Sequence, residues 1–313
     1  MPIQARTHLP NVKASMKKTL IIIITYNGMR WLPDVLAEIG KSPHYDVWVR
    51  DNGSTDKTRE LLTHHASVSF TSFGSNIGFG RANNEGLSFA LEHGYDSVFL
   101  LNQDCRIHSD VFSSLRYFGL ANQENVTCPV QLNWDGLGVN FNFGARYAPG
   151  WASHKESFEV YFVNAAAWFI PIGIIEKVGG FNPVFFMYGE DSDWARRLLA
   201  IGGRFTVLPS LFCYHKSSVQ NQRQNKIQTN QRIIFSHEVT EFFFSHKNFN
   251  EWRKGWFKRA LKRSFRRKQL FNTFTLINPI AEVLVYRHFR ISHPTWKEVR
   301  KQSTFSRPFL LDN

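Results

Sequence analysis

The chain has 313 residues, 43% of them apolar and 29 of them Phe, which is material for one large domain or one domain plus an extension. Three cysteines without paired spacing exclude a disulfide framework and a zinc knuckle; no apolar run approaches the roughly 18 residues of a membrane span, and the run 20–24 is too short for a secretory signal core. The formal charge of +13 is uneven: residues 226–313 carry 18 Lys and Arg against 6 Asp and Glu, whereas residues 1–225 are nearly neutral at 20 against 19. A cytosolic protein with two electrostatic halves is expected.

Residues 1–18 are polar and basic without periodicity. Behind them, strand patterns at 19–24, 46–50, 68–72 and 97–101 alternate with helical patterns at 29–39, 56–64, 81–92 and 110–120. This alternation predicts an α/β fold with a mostly parallel, Rossmann-like sheet and helices on both faces, and it places ligands at the C-terminal strand ends. After Val130 a stretch rich in Asn, Gly, Trp and Tyr reads as loop and hairpin to about Ser157, followed by helices at 172–178 and 191–201 and a strand at 204–208. From Lys226 onward strand patterns vanish, which divides the chain into a tail (1–18), an α/β domain (19–225) and a basic, aromatic-rich helical region (226–313).

Five segments carry candidate chemistry. The first strand ends in Thr25-Tyr26-Asn27-Gly28 and the second in Asp51-Asn52-Gly53-Ser54-Thr55-Asp56, both turn sequences and both able to present small polar groups to a nucleoside. Asn76-Ile77-Gly78-Phe79-Gly80-Arg81 opens a helix whose backbone amides, with the arginine beside them, suit a diphosphate. The strand at 97–101 stops in Asn102-Gln103-Asp104, a place for a divalent cation and a phosphate-bearing ligand. Glu190-Asp191-Ser192-Asp193 follows an aromatic loop and starts a helix; acidic residues suit a helix start on dipole grounds alone, and the same placement suits a general base. His215 near the last strand is a second candidate cation ligand. Gly-x-Gly-x-x-Gly does not follow the first strand and no Gly-x-x-x-x-Gly-Lys-Ser/Thr occurs, which excludes an ordinary Rossmann dehydrogenase and a P-loop enzyme.

In this order the segments resemble the family 2 inverting glycosyltransferases with the GT-A fold, and 76–84 is most similar to their rhamnosyltransferase-like and galactofuranosyltransferase-like branch; the likeness spans about 19–220. The resemblance implies that Thr25, Asn27, Asp51, Asn76, Gly78, Arg81, Asn102 and Gln103 hold a nucleotide-sugar donor, that Asp104 and His215 bind Mg²⁺ or Mn²⁺ at its diphosphate, that Asp191 is the catalytic base, and that Trp168, Tyr188 and Glu190 meet the acceptor. Two departures stand out. Asn102-Gln103-Asp104 replaces the family's Asp-x-Asp or Asn-Pro-Asp, and Asn164-Ala165-Ala166-Ala167 stands where relatives tend to have Gly and Ser, at the expected floor of the acceptor site.

In the basic region, helical spacing aligns Trp252, Trp256 and Ala260 beside Phe257, Leu261 and Phe265, and puts Lys254, Lys258, Lys262 and Arg266 on one polar line. This is the pattern of an interfacial helix on anionic lipid over 252–268, so the enzyme is expected at the inner face of the cell membrane. A solvated helix packed on the domain is the alternative. Nucleic acid is not an expected partner, since no recognition motif accompanies the charge. The resulting expectation is a metal-dependent transfer of a deoxyhexose such as rhamnose from its dTDP donor to a lipid-linked or polysaccharide acceptor. The rivals are a nucleic-acid-binding protein with an inactive sheet domain and a nucleotidyltransferase, the latter disfavoured because no Gly-rich basic loop follows the first strand.

Overall fold

Thr19–Thr25 (β1) reads Thr-Leu-Ile-Ile-Ile-Ile-Thr with every side chain buried, the mark of a central parallel strand covered on both faces. The computed structural model describes residues 18–216 and, beyond them, residues 251, 252, 254–256 and 259. Around β1 the chain lays down Tyr45–Asp51 (β2), Phe70–Phe73 (β3) and Ser97–Leu101 (β4), with β1 parallel to both β2 and β4, and β2 parallel to β3. The connecting helices are Leu32–Ile39 (α1), Thr58–His64 (α2) and Phe79–Glu92 (α3).

The second half of the sheet is mixed. Cys105–Arg106 (β5), Ser109–Ala121 (α4), Val126–Asn133 (β6), Phe158–Val160 (β7), Ala167–Pro171 (β8), Ile172–Val178 (α5), Glu190–Ala200 (α6) and Phe205–His215 (β9) complete the domain. The strand order is β3-β2-β1-β4-β8-β6-β9-β5, with β7 on β9. Strand β8 enters antiparallel between β4 and β6, and β6 runs parallel to β9.

Two cores sandwich the sheet, as expected for helices on both faces. Leu32, Leu36, Leu62, Phe112 and Leu115 from α1, α2 and α4 fill one; Leu87, Ile175, Trp194 and Leu198 from α3, α5 and α6 fill the other. Strands β6 and β8 were not anticipated, and β9 runs past the expected end at Leu208. The reason is a register shift: Leu208 pairs with Pro129 and Phe212 with Val130, so Pro209, Ser210 and Leu211 loop out of the ladder. The two prolines that interrupt the sequence pattern sit at this irregularity, where a missing N–H costs no ladder bond.

At Phe181 the loop after α5 is fastened to α3 by the side chain of Asn84. Asn84 Nδ2 donates to the Phe181 carbonyl at 2.8 Å, and Asn84 Oδ1 accepts the Phe181 N–H at 2.7 Å, both buried. Among the described residues no helix is long and apolar enough to cross a membrane. The described residues of the basic region are helical, and Trp252 is fully buried, so at this position the aromatic stripe is covered by protein and not offered to lipid. The remainder of 252–268 lies outside the described residues.

Replacing Asn84 by Ala leaves both main-chain groups of Phe181 buried without partners. The expected loss is about 2 kcal/mol or more of stability, read as a lower urea midpoint with unchanged slope.

Candidate active site

The strand order diverges between β1 and β4, and the crevice above their C-terminal ends is where an open α/β sheet binds ligands. The two ends are bridged by Gln103. Its Oε1 accepts from Thr25 Oγ1 at 2.6 Å and from the Tyr26 N–H at 3.0 Å, and its Nε2 donates to the Tyr26 carbonyl at 3.3 Å. Gly28 permits this closeness: a Cβ there would stand 2.2 Å from Thr25 Oγ1 and 2.6 Å from Gln103 Oε1. Asn27, at φ 50°, accepts the Thr55 N–H at 2.8 Å and donates its own N–H to Ser54 Oγ at 2.8 Å, tying the first loop to the second. Thr25, Asn27 and Gln103 thus frame the crevice.

Three other expected donor residues are braces. Asp51 has no exposed side-chain surface; its carboxylate pairs with Arg59 Nε at 2.8 Å and accepts the Ser54 N–H at 3.2 Å. Asn76 Oδ1 takes bonds from Asn52 Nδ2 and the Gly78 N–H, both at 3.1 Å. The start of α3 is no open phosphate cradle, because the Phe79 N–H already donates to the Phe186 carbonyl at 3.0 Å. A Cβ on Gly78 would lie 2.3 Å from that carbonyl oxygen, so the glycine answers to the aromatic loop. Arg81 donates through Nε to the Pro183 carbonyl at 2.9 Å and is otherwise exposed.

Asp104 and His215 converge, as the sequence suggested, with Oδ1 and Nε2 3.7 Å apart. Gln131, itself held through Nε2 on Asn164 Oδ1 at 2.9 Å, presents Oε1 to His215 Nδ1 at 3.3 Å. An Nδ1–H donated to that oxygen leaves Nε2 with its lone pair toward Asp104, the tautomer a metal ligand needs. Asn102 Oδ1 is buried without a hydrogen-bond partner. Among the described residues no three His, Cys, Asp or Glu side chains gather around one point. Two protein donors suit a hard cation that takes its remaining ligands from phosphate and water.

The base candidate stands on the other bank. Asp191 accepts the Ser192 N–H at 2.7 Å and also the Ala165 N–H, while the neighbouring Ala166 carbonyl receives the Asn102 N–H at 3.0 Å. Two small residues therefore link the cation end of β4 to the acidic start of α6. Burial pushes both Glu190 and Asp191 up, Glu190 to about 8, with the Asp191 charge adding to the effect on Glu190. Two such neighbours cannot both ionise cheaply. The N–H groups on Asp191 favour its anion, whereas Glu190 Oε2 is buried without a partner, so the proton resides on Glu190 and the charge on Asp191. Asp193 serves the helix, bonded to Arg197 Nε at 3.0 Å.

Trp168 is not an acceptor residue in this arrangement. It is fully buried, 5.3 Å from the Trp194 ring and 5.0 Å from that of Phe205, because alternation along β8 turns it into the core. Tyr188 is exposed at φ 70°, just before Gly189 at φ 99°. Sequence reading missed Tyr147, which lies within the field of Asp191; burial and that charge raise its phenol. It sits on a π-helical turn, Phe143–Tyr147, a device common at functional sites, inside a stretch read only as loop. A separate open cleft of about 560 Å³ between α4 and the β9 bulge holds none of the expected site residues.

Residues 20–131 match the family model described as glycosyl transferase family 2. The chain carries a glycosyl transferase family 2 domain. It is 22% identical over 256 residues to the Rhamnosyltransferase WbbL of Escherichia coli (strain K12), covering 74% of this chain and 96% of that protein. It is also 22% identical over 201 residues to the dTDP-rhamnosyl transferase RfbF of Shigella flexneri, covering 62% and 67%. The crystal structure of S. aureus TarS 1-349 in complex with UDP shares the GT-A fold at TM-score 0.53 and 16% identity, covering 89% of this chain and 91% of that one. The family 2 domain thus contains β1 to β4 and their loops, and β8, α6 and β9 add the acidic bank and His215.

Because the carboxyl of Glu190 in the folded domain titrates near 8 against an ordinary value of 4.5, the folded state holds the extra proton between those values. Stability is expected to fall as pH rises from about 4.5 to 8. Glu190→Gln should flatten this part of the curve of melting temperature against pH, while a slope unchanged from wild type would contradict the protonated assignment.

Proposed function

We propose that the protein transfers a sugar with inversion from a nucleotide donor, rhamnose from dTDP-rhamnose, to a hydroxyl of a lipid-linked or polysaccharide acceptor in bacterial cell-surface glycan synthesis. The observation that carries this reading is the placement of Asp191. Its carboxylate accepts N–H groups from Ser192 and Ala165, and through Ala165 and Ala166 it is joined to the end of β4 that bears Asp104. Likeness to the rhamnosyltransferase WbbL and the dTDP-rhamnosyl transferase RfbF supports rhamnose and its dTDP donor.

In this reading Asp104 and His215 would hold Mg²⁺ or Mn²⁺, whose charge would offset that on the leaving diphosphate. Asp191 accepts the proton of the acceptor hydroxyl as its oxygen displaces the nucleoside diphosphate at the anomeric carbon. Glu190, neutral, leaves that basicity undivided. Arg81, exposed near the start of α3, would supply positive charge toward the diphosphate. Tyr188 borders the acceptor side.

The test is a panel of sugar nucleotides with Mg²⁺ or Mn²⁺: transfer or donor hydrolysis is expected, greatest with dTDP-rhamnose. Absence of turnover and of binding with every donor, alongside salt-dependent binding to nucleic acid, would sink the reading. Asp191→Asn should lower turnover by about 100-fold or more while leaving donor affinity within a few-fold, since a positioned base contributes roughly 10² to 10⁴. Asp104→Ala should instead weaken donor affinity and abolish its dependence on the divalent ion, followed by titration calorimetry.

Association with the inner membrane face belongs to the same proposal, supported by the charge of residues 226–313. The full chain should sediment with vesicles containing anionic lipid and be released as salt rises, attraction being screened over about 8 Å at physiological ionic strength. Replacing Lys258, Lys262 and Arg266 by Glu should reduce sedimentation. Equal sedimentation with neutral vesicles would refute the electrostatic account.

A further inference from the structure

Gln131 is a neutral polar side chain with 1% exposure inside the sheet, on β6 between β8 and β9. A buried carboxamide has to satisfy a donor end and an acceptor end at once. The donor end is committed to the segment that leads into β8, where Nε2 gives a hydrogen to Asn164 Oδ1 at 2.9 Å. The acceptor end is thereby turned toward β9, and Oε1 stands 3.3 Å from His215 Nδ1. An amide oxygen can only accept, so this contact puts the ring proton on Nδ1. The other side of the ring agrees. Nε2 lies 3.7 Å from Asp104 Oδ1, beyond hydrogen-bond length, whereas a proton on Nε2 would draw that oxygen closer.

The order of the three side chains decides which ring nitrogen is free. An imidazole without partners favours the other form, with its proton on Nε2, so the tautomer seen here is imposed by Gln131. Gln131 in turn takes its orientation from Asn164. Were no oxygen offered at 164, the amide could turn over and present Nε2 to the ring, and the proton would pass to the nitrogen that faces Asp104. Asn164 also belongs to the acidic bank, since its backbone carbonyl accepts the Ala166 N–H at 2.7 Å and Ala165 between them donates to Asp191. One short segment therefore holds Asp191 through its backbone and His215 through a side chain.

We infer that Asn164 and Gln131 are positioning residues for the donor-side cation: Asn164 fixes the amide of Gln131, Gln131 fixes the tautomer of His215, and the affinity for the divalent ion is set from outside its pair of ligands. This rests on the cation reading of Asp104 and His215 given above and adds two residues that touch neither ion nor donor. With a single carboxylate in the pair, the lone pair on His215 Nε2 is the second protein donor, and a neutral relay keeps it available.

The first measurement is nitrogen NMR on the metal-free full chain, labelled at histidine, in alkaline buffer that leaves imidazoles neutral, with His215 assigned by its absence from His215→Ala. Wild type is expected in the Nδ1–H form. Gln131→Leu should move His215 to the Nε2–H form, Asn164→Ala should leave a mixture, and Asn164→Asp, whose side chain can only accept, should keep the wild-type tautomer. The second measurement is the affinity for Mn²⁺ with dTDP present, read by water proton relaxation: about tenfold or more weaker in Gln131→Leu and a few-fold weaker in Asn164→Ala. Wild-type His215 in the Nε2–H form, or a tautomer unmoved in folded Gln131→Leu, would overturn the inference, and the cation reading would stand as long as wild type binds Mn²⁺ and Asp104→Ala does not. Failure of wild type to take up Mn²⁺ would overturn both.

Discussion

One backbone hydrogen bond, from the Asn102 N–H to the Ala166 carbonyl, sets the distance between the two banks of the crevice. It continues the antiparallel pairing in which Leu101 faces Ala167, one step beyond the last residue of β4. Asn102 thereafter turns toward Asp104, and the residue before Ala166 donates to Asp191. The order of elements along the sheet is general to α/β architecture; this contact converts it into a fixed spacing between the Asp191 carboxylate and the Asp104–His215 pair. Alanine at 165 and 166 suits the position, since both are buried where β8 begins.

The acidic start of α6 illustrates how environment separates three carboxylates of nearly identical chemistry. Asp193 is neutralised by Arg197 one turn on and contributes to the helix. Asp191 receives N–H groups from two segments and carries charge. Glu190, packed toward Gly80 and lacking a partner on one oxygen, keeps its proton. Their common place on one helix turn, favoured by the dipole, explains their presence, and only the surrounding contacts explain their division of roles.

Much of the fold was legible because β1 to β4 and α1 to α4 follow simple periodicities; the approach of Asp104 to His215 was legible because polar residues follow the end of β4 and close β9. The unread portion has specific causes. Pro129 and Pro209 interrupt β6 and β9 at a bulge, where the ladder tolerates them but a pattern does not. The sequence also invited a phosphate at the start of α3; glycines there equally serve a close backbone approach, and the partner is the Phe186 carbonyl. Trp168 was misplaced because a tryptophan beside a site and one beneath it look alike until the face of β8 is known.

The close fit of the aromatic loop onto α3 bears on how such an enzyme can diversify. At Gly78 and Gly80 no room remains for even one methyl group, and Asn84 grips both main-chain groups of Phe181. The 181–189 loop and α3 are thus a single mechanical piece. Exchange of the 181–189 loop with that of a relative would carry its own curvature against a surface cut for another, so the loop and the sequence 78–84 form an indivisible unit of inheritance.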